Sequence, residues 1–432
     1  MGALWLAGDP SPVRYGAGGN GAAMLRPSGV GSAALGSLLL PALALVSGDE
    51  VTLAASAAAT AALPRAGALG GLVVNGRPLA LGPVVWLPLV LLDIVAVFGV
   101  RAALVSLAAG LAGSALTVRG VAAFPKTFAA GEAALIAQSI AVFLASGSIG
   151  MLLGGDGYHR VLYAAALAAA SALGFASRAV NGLLCFAGFA LAVISVPYAY
   201  LLGAIVPFAA HLSITVVALA AAAVALHAAA TRSVLPRIVL RKGYHVLALA
   251  AVWPLLAAEA GRRLVSVGSA GVLAILCALE AARLRRWPSE ALSVALDAVL
   301  APLRDSRDSG VLVTSHLSLA VGIGAPLWLL GADWPPEAPT AALAALCAGD
   351  AAASAIGIKL GGRLVPRMPN GKSLEGALAC FALTLWAQGD VLWWRPRAVA
   401  AAAAAAMAEL VCTSNDNLLV PLAALVPWAA ML

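Results

Sequence analysis

Charge is scarce in this sequence. Asp, Glu, Lys and Arg together make up 10% of its 432 residues, whereas a soluble domain carries about 25% charged residues. The composition therefore excludes an ordinary soluble globular protein. A net charge of +7 would suggest nucleic acid in a soluble chain. Here the basic residues fall between apolar segments, so we expect no nucleic-acid partner.

Cysteine is also sparse, and its spacing excludes two further classes of protein. The five cysteines are scattered through apolar segments without paired spacing, at positions 185, 277, 347, 380 and 412. This arrangement predicts neither a disulfide framework nor a zinc site. A free cysteine in such a segment behaves as a small hydrophobic residue.

Long apolar runs are abundant. The residues are 62% hydrophobic, and the mean hydropathy is +0.98. Roughly 14 apolar segments approach the ~20 residues with which a helix crosses a bilayer. Helices satisfy the backbone polar groups of such segments within lipid. We predict an all-α fold, a polytopic transmembrane helical bundle with roughly 13–15 membrane spans.

Three regions follow from the distribution of polar residues. Residues 1–30 are rich in Gly and predict a flexible N-terminal tail. Residues 31–230 are mostly Ala, Leu, Gly and Val and predict an N-terminal transmembrane region. After residue 230, dense polar clusters interrupt the apolar segments. We therefore expect the functional residues to lie in the C-terminal transmembrane region, residues 231–432.

The polar clusters of the last region are predicted to share one side of the membrane. They lie in segments 231–242, 283–310, 359–373 and 413–417, and an even number of predicted spans separates each from the next. The first three segments contain thirteen basic residues, and the intervening segments contain four. Because basic residues accumulate in cytoplasmic loops, we expect the clusters to face the cytosol.

Asp350 falls within an otherwise apolar segment. A charged side chain at the centre of a membrane helix costs about 2.5–3.5 kcal/mol, so such a residue usually faces a cavity, a partner or a metal. Ser354 lies one turn further along the same helical face. The alternative is that Asp350 only begins a helix at the membrane interface.

A polar segment, GGRLVPRMPNGKSLEG at 361–376, separates two apolar runs. Its glycines expose backbone N–H groups, and Arg363, Arg367 and Lys372 supply positive charge. A helix is expected to begin at its end, and these features together are the parts of a phosphate-binding loop. A Walker A loop is excluded because Pro366 stands where that motif needs Gly. A solvated connecting loop is the alternative.

A further cationic group is formed by Arg241 and Lys242, with His245 one turn away. The three residues could neutralise charge on a phosphorylated substrate. Alternatively, Arg241 and Lys242 only anchor a span at the membrane surface, with His245 at the interface.

Several carboxylates occupy the same predicted side of the membrane. Asp305, Asp308 and Asp416 are candidates for binding a divalent ion, which prefers oxygen ligands and often bridges to phosphate. Each is also compatible with a loop residue or a helix cap. Glu280 and Glu409 lie within late apolar segments and are not explained by contact with lipid.

In order along the chain, these clusters resemble the CTP-dependent polyprenol kinase family, in particular its members that act on dolichol. The resemblance covers roughly residues 235–432. The matching stretches are RKGYH (241–245), Glu280 with Arg283, DSRDSGVLVTSHLSLAVGIGAPLWL (305–329), GDAAASAIG (349–357), GKSLEG (371–376), and Glu409 with TSNDNLLVPL (413–422). One cation is missing, because Gly371-Lys372 stands where the family usually has two lysines.

The resemblance implies transfer of the terminal phosphoryl group of CTP to the hydroxyl of dolichol. The product would be dolichyl phosphate, used in glycan assembly for protein glycosylation at the endoplasmic reticulum membrane. Residues 231–432 would be a transmembrane CTP-dependent lipid kinase region, with dolichol, CTP and membrane lipid as partners. The residues expected to bind CTP are Gly361, Gly362, Arg363, Arg367, Asn370, Gly371, Lys372, Ser373, Glu375, Gly376, Arg241 and Lys242.

Phosphoryl transfer depends mostly on positioning and charge neutralisation. The catalytic residues expected are Asp350, Asp308 and His245, and the expected ligands of Mg²⁺ or another divalent cation are Asp350, Asp308 and Asp416. Asp350 and Asp308 would bind the metal or orient the hydroxyl.

Two other functions are compatible with parts of the pattern. A CTP-dependent kinase of phytol or a shorter prenol shares the Gly-Asp and Glu-Gly elements, but it is usually much shorter and lacks the DSRDSG stretch at 305–310. A membrane transporter would also carry ionisable residues within its spans. That class typically shows charges near the membrane midplane and inverted repeats, whereas the polar residues here gather at one predicted surface.

The predicted topology can be tested by labelling single cysteines. Cysteines placed at Ser309 and Asn370 should react with a membrane-impermeant thiol reagent only from the cytosolic side. Labelling of either position from the lumenal side would contradict the predicted orientation.

Overall fold

The computed structural model of the chain describes residues 59, 73–74, 77–78, 100–124, 126–129, 132–141, 206–232, 237–286, 289–301, 304, 308, 310–330, 335–368, 370–389, 395–413 and 415–430. The predicted tail at 1–30 and most of the predicted region 31–230 lie outside the described residues.

Helices make up nearly all of the described structure. They are α1 (Val100–Ala123), α2 (Glu132–Ala141), α3 (Ala209–Thr231), α4 (Arg237–Val252), α5 (Glu259–Arg285), α6 (Glu290–Leu300), α7 (Ser315–Leu330), α8 (Glu337–Lys359), α9 (Leu374–Ala387), α10 (Pro396–Val411) and α11 (Asp416–Ala430). Within the described residues, the only strands are β1 (Val73–Val74) and β2 (Arg77–Pro78), a short antiparallel pair. The predicted all-α fold is confirmed.

Three helical segments are long and apolar enough to cross a membrane. By length and composition they are Ala209–Leu226, Glu259–Leu284 and Glu337–Lys359. Five shorter apolar helices accompany them, at Leu104–Val118, Glu132–Ala141, Ser315–Leu329, Leu374–Ala387 and Asp416–Ala430. These features are those of a helical membrane protein. The number of 13–15 spans stays a prediction, because much of the N-terminal region lies outside the described residues.

Two segments predicted as loops contain helices. In segment 231–242, α4 begins at Arg237, directly after Pro236, so Arg241 and Lys242 lie on a helix. In segment 283–310, α6 is capped by Ser289, whose Oγ accepts the N–H of Leu292 at 3.2 Å. The loop boundaries were wrong because a helix can extend beyond the apolar run that marks a span, and in 283–310 the Ala and Leu residues of α6 favour a helix.

The main core lies where α8, α10 and α11 pack together. Ala401, Ala405 and Ala408 of α10 are buried in it, beside Leu425 and Trp428 of α11. Small side chains let helix backbones approach closely where the hydrophobic effect is weak, as in lipid. The alanine-rich stretch of α10 is thus a packing surface.

A glycine brings α7 against the beginning of α11. A Cβ atom at Gly322 would lie 2.2 Å from the carbonyl oxygen of Asn417. This backbone contact holds α7 beside the polar residues at the N-terminus of α11.

The contact at Gly322 predicts a loss of stability on substitution. Gly322→Ala should lower the thermal unfolding midpoint in detergent, because overpacking costs roughly 1–3 kcal/mol. Gly268→Ala in α5 is the matched control. A Cβ atom there meets nothing within 4 Å, and alanine is the better helix former. Equal midpoints for the two variants would contradict the close approach of α7 and α11.

Candidate active site

Asp350 lies inside a continuous helix. The backbone of α8 is α-helical over Glu337–Leu343, forms a π-helical turn over Ala344–Gly349, and is α-helical again over Asp350–Lys359. Asp350 is therefore not the start of a helix at the membrane interface, which was the alternative. Its side chain is 1% exposed. A buried carboxylate needs compensation from hydrogen bonds or opposite charge. The residues around Asp350 therefore determine whether its charge is compensated.

Helix α4 supplies that compensation. The ammonium of Lys242 forms an ion pair with Oδ2 of Asp350. One turn later, His245 is buried, with its Nε2 atom 2.9 Å from Oδ1 of Asn417 and 3.5 Å from Oδ2 of Asp350. The Nδ1 atom of His245 lies 3.0 Å from the carbonyl oxygen of Arg241. The two side chains meet Asp350 because residues three apart share one face of a helix.

A second lysine reaches the same place from the loop before α9. The Nζ atom of Lys372 lies 2.5 Å from Oε1 of Glu409 and 3.7 Å from Oδ2 of Asp416. Glu409 is near the end of α10, and Asp416 begins α11. Lys372 therefore joins three elements of the chain: the loop, the C-terminal end of α10 and the N-terminal end of α11.

The three carboxylates form one buried cluster. Oxygen atoms of Asp350, Glu409 and Asp416 all lie within 4.8 Å of one another. Oδ1 of Asp350 and Oε2 of Glu409 are buried without a hydrogen-bond partner in the described part of the chain. Each of these two carboxylates thus gives one oxygen to a lysine and leaves the other unused. We call Asp350, Glu409 and Asp416 the carboxylate cluster.

The carboxylate cluster has the chemistry of a divalent-cation site. Mg²⁺ and Ca²⁺ take oxygen ligands, and Mg²⁺ is usually held by one or two carboxylates together with substrate phosphates. An unpaired buried carboxylate oxygen is costly, and a cation bound by these residues would compensate their buried charge. The donor set fits such an ion.

The loop predicted to bind phosphate is ordered by its own glutamate. Oε1 of Glu375 accepts the N–H of Leu364 at 2.8 Å, and Oε2 accepts the N–H of Gly362 at 3.2 Å. Gly362 has a φ of 87° and Gly371 a φ of 82°, a conformation that favours glycine. The N–H of Gly362, a residue that was expected to contact CTP, donates to Glu375 in this structure.

Other residues of the loop also have internal partners. Nδ2 of Asn370 donates to the carbonyl oxygen of Leu410 at 2.8 Å, which fixes the loop to the end of α10. Arg367 is exposed and donates to the carbonyl oxygens of Gly357, at 2.6 Å, and Gly371, at 3.0 Å.

The remaining loop residues mainly pack against neighbouring residues or cap a helix. Ser373 caps α9, with its Oγ accepting the N–H of Gly376 at 3.2 Å. Gly361 packs against Ser373, since a Cβ atom there would lie 2.6 Å from its Oγ. Arg363 is exposed at the surface of the loop. The loop thus holds Lys372 beside the carboxylate cluster and leaves Arg363 free to turn toward solvent.

Asp308 is not part of the carboxylate cluster. Its Oδ1 accepts the N–H groups of Thr314, at 2.7 Å, and Ser315, at 3.1 Å, and its Oδ2 accepts the hydroxyl of Ser315 at 2.6 Å. These are the bonds of a helix cap, here at the start of α7. The metal and catalytic roles expected for Asp308 find no support in this position. Asp305 lies outside the described residues.

Glu280 and Arg283 form a separate buried pair. The carboxylate of Glu280 accepts from the Arg283 guanidinium at 2.5 and 2.9 Å and from the N–H of Val313 at 2.7 Å. This pair fixes the segment that precedes α7 and accounts for the buried charge of Glu280 without a ligand.

The structure therefore brings together five of the residues that the sequence marked as site candidates: Asp350, Asp416, Lys242, Lys372 and His245. It adds Glu409, which the sequence marked only as an unexplained charge in an apolar segment. The signal was present, because a single glutamate in a run of alanines has the same cost in lipid as Asp350.

Two curated proteins match part of the chain. A dolichol kinase of Arabidopsis thaliana is 32% identical over 200 residues, which is 43% of this chain and 34% of that protein. A dolichol kinase of Schizosaccharomyces pombe is 29% identical over 196 residues, which is 42% of this chain and 37% of that protein. No family model matches, and no solved structure matches.

The fold and the site define a class: a helical membrane protein with a buried cluster of carboxylates and lysines where its helices end. Over the matched region the chain is similar to these two dolichol kinases, in line with the resemblance that its motifs carry. The matched region spans about a third of the length of these relatives.

The pairing of Lys372 with Glu409 can be tested by a double-mutant cycle on unfolding. Lys372→Met should destabilise the protein because it leaves Glu409 and Asp416 less compensated, and Glu409→Gln in the same chain should restore part of the loss. We expect a coupling energy of about 1–2 kcal/mol, within the range for contacting charges. The pair Arg286–Glu290, in which both side chains are 70% exposed, is the control and should show no measurable coupling. Additive effects of Lys372→Met and Glu409→Gln would contradict the contact.

Proposed function

We propose that the protein is a CTP-dependent dolichol kinase. One observation carries the proposal: three carboxylates and two lysines from five separate elements meet in a buried cluster with two unused carboxylate oxygens. Such a group suits the binding of a triphosphate with a divalent cation. The relatedness to two dolichol kinases supports dolichol as the acceptor. The choice of CTP rests on the resemblance of residues 371–376 to the polyprenol kinase family.

The location of the cluster suits a substrate that stays in lipid. Asp350 is held in α8, an apolar segment of spanning length. Lys372 belongs to a loop with exposed residues. An alcohol carried in the membrane would approach from the side of α8, and a water-soluble nucleotide from the side of the loop. The two reactants would meet at the cluster, and holding them in line is a major part of catalysis.

The transfer would form a bond between the alcohol oxygen of dolichol and the γ-phosphorus of CTP. The bond from that phosphorus to the β–γ bridging oxygen would break, giving dolichyl phosphate and CDP, and the hydroxyl proton would pass to a carboxylate of the cluster. Lys242 and Lys372 would neutralise phosphate charge at the transferring group. Arg241 and Arg363 would contribute at the rim, and His245 would hold Asn417 and Asp350 in place.

Asp350, Glu409 and Asp416 would hold Mg²⁺ or another divalent cation. The ion would neutralise negative charge on the phosphate oxygens. Glu375 would order the loop rather than contact the nucleotide, because its oxygens are already used by Gly362 and Leu364.

We place the enzyme in the endoplasmic reticulum membrane, with the cluster open to the cytosol. This placement follows from the basic residues of the polar segments and from the expected use of dolichyl phosphate in protein glycosylation. The deciding experiment is an assay of membranes containing the protein, with γ-labelled CTP and dolichol. ATP as donor and phytol as acceptor are the comparisons. Preference for phytol would indicate the alternative prenol kinase, and no transfer to any lipid would contradict the proposal.

Asp350 should be the most sensitive carboxylate. Asp350→Asn keeps the size of the side chain and removes its charge, so the protein should insert and accumulate normally while losing most of its kinase activity. The matched control is Asp297→Asn in α6, a half-exposed carboxylate that contacts Arg283 and Arg304 and lies outside the cluster. Robust activity in well-expressed Asp350→Asn protein would show that Asp350 has no part in the reaction.

A further inference from the structure

A glutamate of the N-terminal half touches the candidate site. Glu132, the first residue of α2, is buried, and its Oε1 accepts the backbone N–H of Asn415 at 2.9 Å. Its Oε2 accepts the N–H of Ala129, also at 2.9 Å. Backbone N–H groups thus donate to both oxygens of the Glu132 carboxylate, one from its own segment and one from the residue that precedes α11. Hydrogen bonds to an ionised acceptor are the stronger kind.

The residue that Glu132 holds is the one that precedes a carboxylate of the cluster. The carbonyl oxygen of Asn415 accepts the N–H groups of Leu418, at 3.2 Å, and Leu419, at 3.4 Å. Asn415 therefore stands at the N-cap of α11 and Asp416 in its first turn. A shift of Asn415 would move Asp416 with it, because the two are adjacent in a rigid helix start.

The same N-terminal segment makes a second contact, with the residues that precede α7. Oγ1 of Thr127 lies 3.4 Å from the backbone N of Leu312, which donates to it. Gly310 packs against Thr127, since a Cβ atom at Gly310 would lie 2.5 Å from its Cα. This contact supports the segment before α7, which contains no carboxylate of the cluster.

We propose that Glu132 is a positioning residue for Asp416: by binding the N–H of Asn415, it holds the third carboxylate of the cluster within reach of Asp350 and Glu409. The inference rests on the proposed divalent-cation site. It gives the segment 126–141 a part in the chemistry that the sequence ascribed to residues 231–432 alone.

The test uses the full-length protein in detergent. Glu132→Gln keeps the size of the side chain, but its amide has only one acceptor oxygen. The amide NH₂ group cannot accept a hydrogen bond, so one of the two backbone N–H groups loses its partner. Two quantities are measured: hydrogen–deuterium exchange of peptides covering 412–417, and binding of Mn²⁺ followed by the electron paramagnetic resonance signal of the free ion. We expect faster exchange at 412–417. We also expect weaker Mn²⁺ binding, by roughly tenfold, because a hydrogen bond to a charged group is lost.

Thr127→Val is the matched control from the same segment. It removes the acceptor for Leu312 and should leave exchange at 412–417 and the Mn²⁺ affinity unchanged. Glu132→Asp is the second variant, for use if Glu132→Gln does not accumulate. It keeps the charge and shortens the side chain by one methylene, so the same two shifts should appear in smaller size.

The outcomes separate the positioning role from the cation site. Unchanged exchange and Mn²⁺ affinity in the Glu132 variants would overturn the positioning role. Equal weakening of Mn²⁺ binding by Thr127→Val would also overturn it, because the segment would then act only as general support. Absence of Mn²⁺ binding by the unsubstituted protein would overturn the cation site itself, whatever the Glu132 variants do.

Discussion

Buried negative charge is the constraint on which the described structure depends. Three carboxylates, each with an oxygen within 4.8 Å of the others, repel strongly in a low-dielectric interior unless cations lie beside them. Lys242 must come from α4 and Lys372 from the loop before α9. The packing of α4 against α8, and of the loop against α10 and α11, is therefore tied to the charge balance of the site. A change in any of these elements alters the electrostatics as well as the packing.

The loop at 361–376 meets a related constraint in a different way. A loop that is proposed to bind phosphate through its N–H groups has to be ordered before its ligand arrives, because otherwise the ligand bears the entropy of ordering it. Glu375 accepts two of these N–H groups, and Asn370 attaches the loop to the end of α10. The loop is thereby held in one conformation, and Lys372 is directed toward the carboxylates. Order in this loop is thus a property of the protein alone.

Much of this arrangement could be predicted from the sequence, and the reasons are physical. Asp350, Lys372 and Asp416 were identifiable because a charged residue beside or within an apolar run is costly without a partner. Their position on a common side of the membrane was an expectation from counting the predicted spans. The start of α4 at Arg237 was missed because helices extend beyond the apolar core of a span, and nothing in the composition marks the membrane surface.

The contacts of the site carboxylates were harder to predict than the identity of the residues. Asp308 and Asp416 look alike in sequence, since each is an aspartate in a short polar stretch before an apolar run, yet one accepts N–H groups at the start of α7 and the other joins the cluster. Glu132 was not identifiable, because its contact with Asn415 spans 283 residues of sequence separation. Which donor a carboxylate meets is decided by packing between helices. A single sequence does not carry that information in its local pattern.

The π-helical turn at Ala344–Gly349 has a consequence for how α8 tolerates changes in length. A π turn bonds residues five apart rather than four, so it accommodates about one residue more than an α turn. Removing one residue between 344 and 349 would let α8 become a regular helix throughout, at little cost in backbone hydrogen bonds. Asp350 would then keep roughly its direction relative to Glu337, whereas α geometry imposed on 344–349 without a deletion would rotate it by about 100°, away from Lys242. The π turn thus rotates the second half of α8 relative to the first. The first half can then face the core while the second half places Asp350 in the carboxylate cluster.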